Sequence, residues 1–419
     1  PMTATPDSTA TDTLRLTAAD KRHPVLAVRH KAKPTKLVIA KRAKGQNALD
    51  ELASVLVTEA EQLRSDGRTT VAIIVNRVAT ARKVYDLLRG AQNADGREVH
   101  LAIGRMRPLD RDSMTATIQS RVGKFQPSSV NEKPVFVVAT QCLEVGADFD
   151  FDAMVCECAS IDSLRQRFGR LNRRGRDIDA CGCVVVRADQ VETDNDPVYG
   201  PALSNTWQWL IGLAKDATVD FGLSATEQLL KAVDLTTMLP PPVDAPVMFP
   251  AYVDAWAQTN PRPAPDPDVS LFLHGPHRGE PDVQVCWRGD LPKNEDADVW
   301  VQTISLCPPS SPECMPVPIG VVRSWLAGKD TDDRERSDAL GAIAPGAEPT
   351  TDGGMPRIGL IWRGPSDSQL ARKPNDVRGG DTLVLPISAG GWSLFGHIPM
   401  ASEDRIDLAE QAFRQSRGR

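Results

Sequence analysis

Between residues 70 and 187, short apolar runs alternate with helical patterns, and this alternation restricts the fold more than any other feature. Strands are predicted at Val71–Val75, His100–Ile103, Pro134–Ala139, Met154–Cys158 and Cys181–Val186. Helices are predicted between them, at Ala79–Leu88, Arg111–Val122 and Asp162–Arg173. A preceding helix is expected over residues 47–66, where Leu49, Leu52, Val55, Leu56 and Ala60 recur at helical spacing. Uninterrupted apolar strands separated by helices require a parallel sheet covered on both faces, hence an α/β fold. Ligands of such sheets sit beyond the carboxyl ends of the strands. The chemistry-bearing segments below all fall on strand-to-helix turns or on the helix that follows.

At 419 residues the chain has room for two or three domains. A 41% hydrophobic and 25% charged composition is that of a soluble globular protein. The net charge of −6 rules out a general polycation, so nucleic-acid contact needs a local patch. Residues 21–48 hold nine Lys/Arg and no acidic residue, either a solvated loop or a phosphate-facing strip. The longest apolar runs fall short of the ~18 residues a membrane helix needs, and no secretory leader is recognised, so no membrane is expected as a partner. Cys156/Cys158 and Cys181/Cys183 are spaced two apart on predicted strands. They read as buried small hydrophobes rather than a zinc set, and reduced thiols fit a cytoplasmic location.

Beyond about residue 190 the character changes, and all eight Trp lie after residue 206. Tyr199–Leu213 and Thr226–Val233 are predicted helices, and residues 240–267, with nine prolines, a linker. Strands are expected at Val269–Leu273, Val283–Trp287, Val299–Leu306, Ile358–Trp362 and Thr382–Pro386, and a loop at 328–355.

The strongest chemical signal is Gln166-Arg-Phe-Gly-Arg-Leu-Asn-Arg173. On a continuous helix Gln166, Arg170 and Arg173 share one face while Leu164, Phe168 and Leu171 share another. Guanidinium and amide groups over an anchored apolar face suit a polyphosphate. Next comes Val137-Val-Ala-Thr-Gln-Cys-Leu-Glu-Val-Gly-Ala-Asp148, a strand ending in Thr140 and followed by Gly146 and Asp148. Asn76 ends another strand, and Gly104-Arg-Met-Arg-Pro-Leu-Asp-Arg111 places three cations after a third.

In this order the segments resemble motifs IV, IVa, V and VI on the second RecA-like domain of superfamily two helicases. Thr3-Ala-Thr5 then resembles motif III, which closes the first motor domain. Residues 140–152 and 162–175 are similar to the helicase–nuclease of type I CRISPR systems. Residues 257–268, 272–275 and 283–290 are similar to its I-U (I-G) branch. The resemblance implies a RecA-like parallel sheet, the second motor domain, followed by a helical connector and a β-rich accessory domain. Its domains would be 1–34 (tail of the first motor domain), 35–190 (second motor domain), 191–267 (connector and linker) and 268–419 (accessory region). It implies ATP with Mg, held partly by a first motor domain. Single-stranded DNA and a CRISPR guide-RNA surveillance complex would be the other partners. Gln166, Arg170 and Arg173 would serve the ATP γ-phosphate as catalytic residues, and Gly146 and Asp148 would bind nucleotide. Asn76, Arg105 and Thr140 would hold single-stranded DNA, and Thr3, Ala4 and Thr5 would couple the domains.

Departures accompany the match. The sequence has no G-x-x-x-x-G-K-[ST] loop and no acidic box: Asp50-Glu51 lies in a predicted helix, and no histidine precedes an aspartate. The chain is therefore expected to be the C-terminal part of a larger motor, inactive as an ATPase alone, with no metal site. Two alternatives are a non-catalytic nucleic-acid-binding module and a fragment of a generic RNA helicase.

Overall fold

The computed structural model describes residues 17, 20, 22–40, 46–65, 68–90, 96–122, 133–144, 148–193, 196–231, 234–240, 246–258, 272, 281–292, 295–328, 356–393, 396–397 and 407–417. Thr3, Ala4, Thr5 and Gly146 lie outside them, as do the expected strand Val269–Leu273, apart from Phe272, and nearly all of the 328–355 loop. Two compact units are present, Pro1–Pro240 with Leu394–Gly396, and Pro241–Ser393 with His397–Arg419.

The first unit is built on β1 (Pro34–Ala40), β2 (Thr70–Ile74), β3 (Glu98–Ala102), β4 (Val135–Ala139), β5 (Ala153–Glu157), β6 (Cys181–Arg187) and β7 (Thr218–Asp220). Its helices are α1 (Pro24–Arg29), α2 (Gln46–Ser65), α3 (Val78–Gly90), α4 (Pro108–Val122), α5 (Ile161–Phe168), α6 (Ala188–Thr193), α7 (Pro201–Leu213) and α8 (Leu223–Lys231). The sheet order is β3-β4-β2-β5-β6-β1-β7. Every pairing is parallel except that of the edge strand β7 with β1. Alternate residues of the apolar strands serve opposite faces. Ala72, Ile74, Val137, Met154 and Val184 pack with Ile118 of α4, Leu164 and Phe168 of α5, and Trp207 of α7. Val71, Ile73, Val138, Val155 and Val185 pack with Leu52, Leu56 and Ala60 of α2 and with Val84 and Leu88 of α3. Both faces are thus covered, which explains why no strand of the interior alternates with polar residues.

One strand falls inside the cationic stretch. Pro34-Thr-Lys-Leu-Val-Ile-Ala40 is β1, paired in parallel with β6, with Thr35, Leu37 and Ala40 buried. Lys36 points off the sheet and reaches Glu59 of α2 at 2.8 Å. The strip is therefore neither a loop nor a continuous phosphate surface over these residues. Because β7, α7 and α8 belong to the first unit, that unit runs through Pro240, beyond the 35–190 span expected from the sequence.

Gly182 of β6 shows how closely α5 lies on the sheet. A Cβ there would stand 2.6 Å from the Phe168 ring and 3.2 Å from the Met154 carbonyl oxygen. Phe168 stacks on Phe221 with centroids 4.1 Å apart, so the ring has little room to retreat. Gly182→Ala is expected to destabilise the unit by about 1–3 kcal/mol, as overpacking does. Urea unfolding checks this, and an unchanged midpoint would contradict it.

The second unit carries a five-stranded sheet of β8 (Asp282–Arg288), β9 (Met315–Pro318), β10 (Gly359–Trp362), β11 (Gln369–Ala371) and β12 (Thr382–Pro386) in the order β11-β10-β12-β8-β9. Trp287, Trp325 and Trp392 fill its core, and the Trp287 indole donates to the Gly390 carbonyl at 2.8 Å. The expected strand Val299–Leu306 is instead a helix over Ala297–Leu306. Asp296 caps it by accepting from the amides of Asp298 and Val299, and Trp300 and Ile304, four residues apart, face inward. Within the expected linker, Pro250–Trp256 is a short helix with Pro250 in its first turn. Among the described residues no helix is long and apolar enough to cross a membrane.

Candidate functional site

Parallel strands bring their carboxyl ends to one edge, and the segments singled out above converge there. Asn76 follows β2, the cationic loop follows β3, Thr140 follows β4, and α5 follows β5. The Thr140 amide donates to Ala102 at the end of β3 at 3.2 Å, tying two of these ends together.

Helix α5 stops at Phe168, so Gln166, Arg170 and Arg173 do not share one helical face as expected. Three features end it. Lys33 donates from Nζ to the Phe168 carbonyl at 3.1 Å. The chain then pairs with Phe151, which donates to the Arg170 carbonyl and accepts from the Asn172 amide. Asn172 itself takes φ +40°, a conformation that asparagine tolerates better than most residues. Its side chain accepts from the Arg176 amide at 2.8 Å and donates to the Arg176 carbonyl at 2.9 Å.

The arginines of this turn have different surroundings. Arg170 is 7% exposed and donates to the Leu143 and Glu144 carbonyls, at 3.1 and 2.6 Å. Arg173 remains 44% exposed and meets Asp148 at 2.9 Å, while Arg174 meets the other Asp148 oxygen at 3.2 Å. These guanidiniums, Arg174 foremost, hold the Asp148 carboxyl below the usual range. Gln166 is half-buried on α5. Arg176 bridges Asp150 and Asp152, at 2.8 and 2.6 Å. Burial pushes the Asp152 carboxyl up, but Arg176 and the Thr70 and Thr69 amides outweigh it and hold it low.

On the other side of the site, Thr140 is buried at the end of β4 with its hydroxyl 3.9 Å from the Cys142 sulfur. Arg105 is half-buried, and its Nη1 meets no hydrogen-bond partner among the described residues. Arg107 is buried and bonded to Asp110 at 2.6 Å, where it braces the start of α4. Asn76 is 4% exposed and is bonded internally on every side. Its amide donates to Glu157 at 2.9 Å and its side-chain nitrogen to the Cys158 carbonyl at 2.7 Å. Its side-chain oxygen accepts from Arg167 at 2.9 Å, and its carbonyl accepts from Gln141 at 3.1 Å.

Arg167 is the residue that sequence reasoning missed. It is wholly buried, and its guanidinium donates to Glu144 (2.8 Å), the Glu157 carbonyl (2.8 Å), Asn76 (2.9 Å) and the Tyr199 hydroxyl (3.0 Å). A signal existed: Arg167 lies three residues after Leu164, on the apolar face of α5, where a charge needs partners. Of the paired cysteines, Cys156, Cys158 and Cys183 are buried and Cys181 is half-buried. Burial pushes the Cys156 thiol up to about 12.

Lys33 makes one pH prediction. Burial drives its ammonium down to about 8, against the pull of Asp150 and Asp220. The folded chain thus releases this proton near pH 8, whereas the unfolded chain keeps it until about 10.4. Within that window the unfolded state binds more protons, so Lys33 favours folding increasingly as pH rises. The stability difference between wild type and Lys33→Met should shift toward wild type from about pH 7 to about pH 10. Urea midpoints measure it, and a flat difference would refute it.

A parallel sheet carrying an arginine turn, a strand-end threonine and a cationic loop on its carboxyl edge has the arrangement of a RecA-like fold, and the chain carries a second unit besides. Residues 67–176 match the family model described as CRISPR-associated nuclease/helicase Cas3, C-terminal. The CRISPR-associated nuclease/helicase Cas3 of Methanothermobacter thermautotrophicus is 31% identical over 130 residues, covering 31% of this chain and 13% of the relative. The CRISPR-associated helicase Cas3 of Thermoproteus tenax is 33% identical over 179 residues, covering 42% of this chain and 27% of the relative. The matches thus span well under a third of these relatives' lengths. A crystal structure of T. fusca Cas3 described with AMPPNP is 18% identical, with a TM-score of 0.49, covering 88% of this chain and 41% of that one.

Proposed function

We propose that this chain is the C-terminal motor half of an ATP-dependent DNA helicase or translocase acting in CRISPR interference. The observation that carries the reading is the turn after α5. There a half-exposed Arg173 stands beside Asp148, next to Arg170, in a Cas3-type helicase region. Arg170 and Arg173, with Gln166, serve the γ-phosphate of ATP, and Asp148 and Gly146 bind the rest of the nucleotide. Thr140 and Arg105 hold single-stranded DNA from the neighbouring strand ends. Asn76, with its polar atoms committed internally, supports that track from below. Motif III at Thr3, Ala4 and Thr5 couples the two halves.

ATP fits this donor set only in part. Guanidiniums can neutralise the outer phosphate, but the sequence has no phosphate loop with its lysine and no acidic box. A first RecA-like domain must therefore grip the inner phosphates and Mg. Recruitment by a guide-RNA surveillance complex in the cytoplasm completes the reading, and the resemblance of residues 257–268, 272–275 and 283–290 supports the I-U (I-G) branch. Three of the nine cations of the strip are engaged within the fold, which weakens the case for the non-catalytic module over residues 31–36. Lys31 pairs with Asp177, half-buried Lys33 donates to the Phe168 carbonyl and Lys36 is bound to Glu59.

The test joins the chain to a first RecA-like motor domain and follows ATP hydrolysis with and without single-stranded DNA. DNA-stimulated turnover is expected in the assembled motor and not in the chain alone. Turnover by the chain alone, or none after assembly, would overturn the proposal.

A further inference from the structure

Past the matched region, the chain turns back into the site. Asp196 accepts from the Val198 and Tyr199 amides at 2.9 and 2.8 Å, which fixes a turn just ahead of α7. Its other oxygen accepts from Gln190 at 3.1 Å, and the same Gln190 nitrogen donates to Glu157 at 3.0 Å. Glu157 in turn accepts from the Asn76 amide at 2.9 Å. At the far end of the turn, the Tyr199 hydroxyl accepts from Nη2 of Arg167 at 3.0 Å. Asn76, Glu157, Arg167, Gln190, Asp196 and Tyr199 are all buried, and neither Tyr199 nor Gln190 lies within residues 67–176.

We infer that Tyr199 is a positioning residue for the motor site, setting the turn Thr140–Glu144 through Arg167. The Nη2 group of Arg167 has two protons. One goes to the Asn76 side chain, and Tyr199 takes the other. With both satisfied, the guanidinium plane is fixed, and its Nε points at the Glu144 carboxylate, at 2.8 Å. Glu144 ends the turn that begins at Thr140, and its carbonyl accepts from Nη2 of Arg170. The phenol thus orients groups on both sides of the site while touching neither nucleotide nor DNA. Without it, a buried guanidinium proton lacks an acceptor, and the plane is free to rotate away from Glu144. A post-core segment thereby governs how the core presents its turn.

This inference rests on the motor reading for its turnover arm only. In the full chain, Tyr199→Phe should speed hydrogen exchange at the Leu143 and Glu144 amides about tenfold, because a bond to a charged group is lost. These amides donate within the turn, to Thr140 and Gln141. Exchange in the buried centre of β6 should not change. Gln190→Met, which leaves the phenol in place, should move the same amides in the same direction but less. In the assembled motor, Tyr199→Phe should lower kcat about tenfold and leave KM for ATP within about twofold. Phe221→Leu, a core variant, controls for stability and should leave kcat unchanged. Unaltered exchange at Leu143 and Glu144 would overturn the inference, as would faster exchange with an unchanged kcat. If the wild-type assembly shows no DNA-stimulated turnover, the motor reading falls, and the exchange arm still decides the role of Tyr199.

Discussion

Arg173→Ala is expected to lower DNA-stimulated ATP turnover of the assembled motor by about 10³-fold, as removal of an arginine finger does. The same substitution should change the unfolding free energy of the chain by less than about 0.5 kcal/mol. Arg173 and Asp148 are 44% and 62% exposed, so their ion pair is solvated and contributes little to the fold. A guanidinium aimed at a phosphoryl group in a closed site is worth far more, because it stabilises charge that develops only in the transition state. Arg170→Ala is less clean, since that side chain also holds the Leu143 and Glu144 carbonyls. Steady-state turnover and urea unfolding of the Arg173 variant would be measured side by side. Turnover within about twofold of wild type would remove Arg173 from the proposed catalytic set.

Arg167→Leu should show the opposite pattern, with a stability loss of about 3–5 kcal/mol even in the isolated chain. The side chain is wholly buried and shares its charge with Glu144, which is only 9% exposed. Removing the cation leaves that carboxylate and the Asn76 oxygen without their donor in a dry interior, the costly half of breaking a buried pair. Leucine fills much of the volume but satisfies none of these groups. A loss below about 1 kcal/mol would mean that the cluster is hydrated and that Arg167 is not its centre.

The parallel sheet was readable because strands buried on both faces leave continuous apolar runs, and Val71–Val75 and Pro134–Ala139 have no other plausible use. β1 was hidden by its charges. Lys36 interrupts the apolar pattern, and its partner Glu59 lies 23 residues away on another element. The end of α5 was hidden for a different reason. Gln166 to Arg173 has no proline, and a lone glycine does not by itself stop a helix. What ends α5 is tertiary: a lysine from residue 33, a backbone pairing with Phe151 and the left-handed Asn172. The helix at Ala297–Leu306 was concealed by a run of β-branched residues, although Asp296 ahead of it was a legible cap. Within the candidate site, residue types and strand-end positions were accessible from spacing. Which polar atoms were already spoken for, as at Asn76, was not, because that depends on partners such as Cys158 and Arg167 far along the chain.

The contacts of Arg170 tie recognition to motion. Its Nε and one Nη2 proton already serve two main-chain oxygens, so an anion that claims either of these donors must displace the Leu143 or the Glu144 carbonyl. Arrival and departure of such an anion would each register as slackening or tightening of the backbone that follows Thr140, which under the proposed roles of Arg170 and Thr140 links one ligand mechanically to the other.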